Sequence, residues 1–163
     1  ENWKRTKEEV TALMGLLEYM LVEKKEDILN KEVRVRFAGD LDRLSKKIQR
    51  LMVEMEQETR KYKKTVWICV SYGGRAEIVS AANTVTGSIT ESKLEQELWT
   101  ADMPDLDMII RTGGNHRLSN FLLWKASYAE LLFTNTKWPA FTKQHLRRAF
   151  VWYEKNVQVN KGK

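Results

Sequence analysis

Cysteine is nearly missing from this chain. Cys69 is the only one in 163 residues, which excludes an internal disulfide framework. It lies in an apolar run, where a small buried core residue is the simpler reading than a nucleophile. Proline is almost as scarce, with only Pro104 and Pro139. No internal repeat or low-complexity stretch accompanies them, so a single domain over residues 1–163 is expected. Long apolar runs are lacking too. Phe121-Leu122-Leu123-Trp124 is among the longest, far short of the ~20 residues that span a bilayer. No signal-peptide pattern opens the chain, and a cytoplasmic protein is expected. Also absent is a clustered basic stripe. The net charge is +6, which favours anionic partners. The lysines alternate with glutamates, however, as in Lys7-Glu8-Glu9 and Glu23-Lys24-Lys25-Glu26. Solvated helix faces account for most of that charge, and no nucleic-acid partner is expected.

What is present is an ordinary globular composition, 42% hydrophobic and 31% charged. Thr6-Lys7-Glu8-Glu9 has the spacing of a capping box and predicts a helix from Lys7 to about Asp27. Val10, Leu13, Met14, Leu17 and Leu21 form one apolar face of it, and Ala12, Leu16, Met20 and Val22 widen that face. The helix therefore meets either two packed layers or a core and a lipophilic cavity. Val33, Val35 and Phe37 alternate with charged residues as a short strand, ending at Gly39-Asp40. A helix over Ser45 to Arg60 follows, with Ile48, Leu51, Met52 and Met55 inward. Thr65 to Val70 reads as a buried central strand, and Gly73-Gly74 ends it before a helix from Ala76. A second capping-box spacing, Ser88 to Glu91, precedes a helix reaching Leu98. Leu106 to Ile110 and Leu131 to Phe133 are further strands, with helices over Leu118 to Glu130 and Lys143 to Lys155. This alternation predicts an α/β fold with a largely parallel central sheet flanked by helices. Sites in such folds lie outside the carboxyl ends of the strands, where both glycine pairs fall.

The segment Arg111-Thr112-Gly113-Gly114-Asn115-His116-Arg117-Leu118-Ser119-Asn120 places two arginines and a serine around two glycines at a strand exit. Guanidinium groups match phosphate oxygens in bidentate fashion. Glycine amides and a following helix start would add to an anion site. No Walker A pattern occurs, so the chemistry indicated is diphosphate binding without nucleotide hydrolysis. His116 and His145, isolated from each other, read as hydrogen-bonding or surface residues rather than metal ligands. Trp138 and Phe141 read as packing anchors.

Arg111-Thr112-Gly113-Gly114, Arg117-Leu118-Ser119-Asn120-Phe121-Leu122-Leu123-Trp124, Tyr128-Ala129-Glu130-Leu131 and Trp138-Pro139-Ala140-Phe141 together resemble the signature end of cis-prenyltransferases. Undecaprenyl diphosphate synthases are the branch most resembled. Upstream, Ser71-Tyr72-Gly73-Gly74-Arg75 is similar to the family's Asn-Tyr-Gly-Gly-Arg, and Glu1-Asn2-Trp3-Lys4-Arg5 to the tail of Phe-Ser-Thr-Glu-Asn-Trp-x-Arg. The resemblance implies condensation of isopentenyl diphosphate with an allylic diphosphate such as farnesyl diphosphate. The product would be a long Z-configured polyprenyl diphosphate such as undecaprenyl diphosphate, serving cell-wall or glycan assembly. It implies that Arg111, Arg117 and Ser119 hold the diphosphate of isopentenyl diphosphate, and that Asn2, Trp3 and Arg5 lie at the catalytic mouth. Leu13, Leu16 and Leu17 would line a tunnel for the growing chain. Glu130 would help position Mg²⁺, with a glutamate of this kind commonly acting at the partner's side of a homodimer. Peripheral membrane association through the product is also implied.

Departures from the family pattern accompany the match. The Asp-Gly-Asn-Gly-Arg-Trp segment, which carries the metal-binding aspartate and the allylic site, is not among these residues, and an N-terminal part is expected to be missing. Asn115 stands where bacterial members usually carry glutamate, and Ser71 where asparagine is common. The alternative to an enzyme is a non-catalytic partner subunit of a cis-prenyltransferase complex. Asp102-Met103-Pro104-Asp105-Leu106-Asp107 resembles the aspartate-rich motif of trans-prenyltransferases. Pro104 would break the helix that such aspartates must share, so a loop entering a strand is expected.

Overall fold

The fold begins from a helix fixed by its own first turn. A computed structural model of the chain describes residue 3 and residues 5–157. It divides into two compact units, Glu1–Ala101 and Asp102–Lys163. In the first, α1 (Lys7–Val22) carries the expected reciprocal cap. The Glu9 N–H donates to Thr6 Oγ1 at 3.3 Å, and the Thr6 N–H donates to Glu9 Oε2 at 3.2 Å. The helix does not continue to Asp27. Lys24 leaves helical geometry at φ −103°, ψ 8°, and a separate short helix α2 (Lys25–Leu29) follows. An ion pair of 2.6 Å between Lys25 and Glu58 ties α2 to the next long helix.

Strand β1 (Val33–Ala38) runs parallel to β2 (Lys64–Cys69), with Val33 opposite Lys64 and Ala38 opposite Cys69. Between them, α3 (Lys46–Thr59) is capped by Ser45, whose Oγ accepts the Ile48 N–H at 3.3 Å. Ile48, Met52 and Met55 repeat at helical spacing and pack with Leu21, Val35, Phe37 and Leu44 into one buried cluster. Two side chains of α3 also close onto the strand. Thr59 Oγ1 accepts the Val35 N–H at 3.0 Å, and Glu56 Oε1 accepts the Phe37 N–H at 2.8 Å. Backbone donors of β1 are thereby satisfied by the helix that covers it. β2 is less enclosed than expected, since Lys64, Thr65 and Val66 are exposed. α4 (Gly74–Thr84) follows β2, and α5 (Glu91–Gln96) starts from Thr90 rather than Ser88, with Thr90 Oγ1 accepting the Lys93 N–H at 3.3 Å.

In the second unit, β3 (Met108–Arg111) and β4 (Glu130–Phe133) are parallel, with Met108 opposite Glu130 and Arg111 opposite Phe133. The aspartate-rich stretch before β3 is a loop, as Pro104 dictates. The helix expected over Leu118 to Glu130 is absent: this stretch is a series of turns. Ser119, Asn120 and Leu122 have φ of 50°, 64° and 45°, and left-handed residues interrupt a right-handed helix. Leu122 and Ala126 are nevertheless buried. The last helix, α6 (Lys143–Asn156), matches its expected range closely. The strands are parallel as predicted. Among the described residues, though, they form two two-stranded sheets instead of one.

Candidate functional site

The strand exits of the first unit are held by a glycine that nothing can replace. Gly39 has φ of +140°, and a Cβ there would lie 1.9 Å from the Val70 carbonyl oxygen. That close approach lets the Asp40 N–H donate to the Ser71 carbonyl at 3.2 Å, joining the β1 and β2 exits. Ser71 itself is left-handed at φ 52°. Its Oγ accepts the indole N–H of Trp3 at 2.8 Å, and the Arg43 guanidinium lies over the Trp3 ring at 4.8 Å. The structure therefore seats Trp3 on the β2 exit. Arg5 is exposed and pairs with Glu9 at 3.4 Å. Asn2 lies outside the described residues.

Of the three leucines assigned to a tunnel, Leu17 packs against the core cluster, while Leu13 and Leu16 are 36% and 63% exposed. A cavity of about 160 Å³ among α1, α2 and α3 is lined by Leu21, Val22, Lys25, Leu51, Glu54 and Met55, and by none of those three.

Sequence reasoning missed a group at the same exit. Glu77, in the first turn of α4, is 1% exposed. Its Oε1 accepts the Thr100 N–H at 3.0 Å and the Thr100 hydroxyl at 2.7 Å, and its Oε2 accepts the Tyr72 hydroxyl. The tyrosine ring packs edge-on to Trp99 at 6.1 Å. A glutamate early in a helix reads as ordinary dipole compensation, so nothing in the sequence marks this one as buried. Nearby, burial, and secondarily the Glu77 charge, pushes the half-buried Cys69 thiol up to about 11. That thiol is no nucleophile at neutral pH.

In the second unit the arginine loop folds back over the ends of β3 and β4. The Gly113 and Gly114 N–H groups donate to the Thr136 and Thr134 carbonyls, both at 2.9 Å. Their φ values of +87° and +78° are what the reversal requires. His116 stacks on Phe133 at 5.0 Å. Arg111 Nη1 donates to the Arg117 carbonyl and, at 2.9 Å, to Ser119 Oγ. Arg111 thus reaches the Arg117 backbone and the Ser119 side chain within one loop. The means differ from the expectation, because the glycine amides are occupied and no helix begins here. What remains for an anion is the Arg111 guanidinium, the Ser119 hydroxyl and the exposed Arg117 of the same loop, and guanidinium groups are the donors best suited to phosphate oxygens. Arg117 and Ser119 are exposed, and Arg111 is half-buried.

Glu130 is not part of this convergence. It opens β4 opposite Met108, three residues before the Arg111–Phe133 pair, so its backbone lies roughly 10 Å back along the strand. Among the described residues no group of three or more His, Cys, Asp or Glu stands together to hold a metal ion. His145 Nδ1 accepts the Thr142 N–H at 3.1 Å within the cap of α6, and His116 is exposed. Phe141 stacks between Trp138 and His145, but Trp138 is 74% exposed and anchors no core.

The family described as "Putative undecaprenyl diphosphate synthase" matches residues 1–160. The chain belongs to this family. An isoprenyl transferase of Aquifex aeolicus is 40% identical over 161 residues, covering 95% of this chain and 69% of that protein. A trans,polycis-polyprenyl diphosphate synthase of Thermobifida fusca, (2Z,6E)-farnesyl diphosphate specific, is 41% identical over 160 residues, covering 91% of this chain and 57% of that protein. The chain therefore spans between about half and three quarters of the length of such isoprenyl transferases. The α/β fold agrees. The crystal structure of a probable undecaprenyl diphosphate synthase from Campylobacter jejuni superimposes with a TM-score of 0.89 at 37% identity, over 99% of this chain and 78% of that one. Lavandulyl diphosphate synthase from Lavandula x intermedia, solved with dimethylallyl diphosphate, gives 0.87 at 30% identity, over 96% and 73%. Among the described residues, no helix is long and apolar enough to cross a membrane.

Proposed function

We propose that this chain works in cis-prenyl chain elongation, condensing isopentenyl diphosphate with an allylic diphosphate, farnesyl diphosphate being the primer. The observation that carries this reading is the Arg111–Ser119 hydrogen bond at 2.9 Å, which brings a guanidinium group and a hydroxyl together in one exposed loop that also carries Arg117. The remaining donors of Arg111 have no other partner among the described residues, and five donors in a fixed fork suit a diphosphate. In this reading Arg111, Arg117 and Ser119 hold isopentenyl diphosphate while its double bond attacks the allylic carbon. The allylic carbon–oxygen bond breaks, diphosphate leaves and the new chain loses one proton. The resemblance to the family assigns Trp3 and Arg5, with Asn2, to the catalytic mouth, and exposed Leu13 and Leu16 to the growing chain.

The family match runs through both compact units without a break, which supports reading them as one domain. Mg²⁺ is held in such chemistry by one or two carboxylates together with substrate phosphates rather than by a protein cage. Glu130 suits that limited role, and when bound the ion neutralises charge on the leaving diphosphate. The product is a long polyprenyl diphosphate such as undecaprenyl diphosphate, made by a cytoplasmic homodimer that meets the membrane through its product.

The test is steady-state kinetics of Arg111→Ala in the complete protein. The expected result is a rise of about tenfold or more in the KM for isopentenyl diphosphate, from loss of a charge-assisted contact. An unchanged KM removes Arg111 from the site. Wild-type protein that makes no prenyl product alone, yet stimulates an active homologue, would instead identify a partner subunit.

A further inference from the structure

We infer that Glu77 is a positioning residue for the β2–α4 turn, holding Tyr72, and with it Ser71 and the seat of Trp3, without itself touching substrate. The inference rests on the prenyl-transfer reading for its catalytic consequence only. The carboxylate is 1% exposed and is spanned by two sets of donors. On one side Thr100, itself fully buried, gives both its N–H and its hydroxyl to Oε1. On the other side the Tyr72 hydroxyl meets Oε2. Burying a carboxylate is costly unless its oxygens are satisfied, and here both are.

The two sides have different reach. Thr100 belongs to the end of the first unit, remote in sequence from the turn. Tyr72 is bonded directly to Ser71, whose hydroxyl receives the Trp3 indole N–H at 2.8 Å and whose carbonyl receives the Asp40 N–H at 3.2 Å. Ser71 also sits in the left-handed region at φ 52°. A non-glycine residue keeps that conformation only where its surroundings over-determine it. The Glu77–Tyr72 contact supplies one of those constraints from within the helix that follows. A carboxylate serves better than an apolar filler because it fixes direction as well as distance.

The test separates the two sides in the complete protein. Thr100→Val keeps the shape and the backbone donor but removes the hydroxyl. Tyr72→Phe keeps the ring but removes the contact to the turn. Kinetics are measured well below the Tm of each variant, so that unfolding does not lower kcat. The expected result is that Thr100→Val lowers Tm and leaves kcat within about twofold, whereas Tyr72→Phe lowers kcat by about tenfold or more with the smaller change in Tm. In amide hydrogen exchange, Tyr72→Phe should lower protection of the Asp40 and Glu77 amides, which donate to the Ser71 and Gly73 carbonyls of the turn, by about tenfold, and Thr100→Val should not. Wild-type kcat in Tyr72→Phe, or parallel losses in both variants, would overturn the inference, as would unchanged exchange in the turn. If the wild-type protein performs no condensation, the functional reading fails by itself. The exchange measurement then still decides whether Glu77 holds the turn.

Discussion

Ser71 and Cys69 lie two residues apart at the end of β2, and they show what a single position can and cannot reveal. The departure of Ser71 from the family's asparagine is visible in the sequence. Its left-handed backbone and its bond to Trp3 are not, because both depend on Gly39 bringing the β1 exit against Val70 and Ser71. Cys69 was legible as enclosed from its apolar neighbours, and the structure adds the consequence. With the thiol at about 11, the native protein at pH 8 holds roughly one thiolate in a thousand, against roughly one in ten for a free cysteine. Alkylation of Cys69 by iodoacetamide at pH 8 should therefore be roughly a hundredfold slower in native protein than in urea. Mass spectrometry of timed quenches measures this directly. Equal rates would mean that the thiol is not enclosed by β2 and its cover.

Elements were legible where one local signal decides them and illegible where several left-handed residues intervene. α3 is the clear case, because Ser45 caps it and Ile48, Met52 and Met55 repeat on its buried side. Ser45→Ala should lower stability by about 1 kcal/mol, the usual worth of an N-cap hydroxyl. Chemical denaturation would register this as a lower midpoint with an unchanged slope. No loss would show that the core contacts alone hold the first turn of α3. The break between α1 and α2 falls at Lys24, with no glycine or proline to announce it. The turns over residues 118–129 escaped prediction for a related reason. Leu118, Phe121 and Leu122 have helical spacing, yet Ser119, Asn120 and Leu122 take positive φ as the loop wraps toward Arg111. The same wrapping brings Ser119 to Arg111, so the feature that defeated the helix prediction assembles the candidate anion site.

For the whole molecule, the β3–β4 register raises the question of where Glu130 acts. Arg111 and Glu130 lie at opposite ends of this strand pair, roughly 10 Å apart along it, and the convergence around Arg111 does not include the carboxylate. A homodimer resolves this if the glutamate of one subunit serves the arginine loop of the other. In a two-fold symmetric dimer each chain then completes its partner's site. Complementation follows from that arrangement. With isopentenyl diphosphate well below its KM, Arg111→Ala and Glu130→Ala protein alone should each keep about a tenth or less of the wild-type rate. In a heterodimer of the two, one site carries both defects and the other carries neither. Equal amounts mixed at random make heterodimers of half the molecules, so about a quarter of wild-type activity should return. If both residues serve the site of their own chain, every site in the mixture keeps one defect and no activity returns. Co-expression of differently tagged chains, with tandem purification of the heterodimer, measures this, and recovery of about half the wild-type rate in the purified heterodimer is the expected result. Wild-type protein that sedimented as a monomer while fully active would exclude sharing altogether and return Glu130 to its own chain.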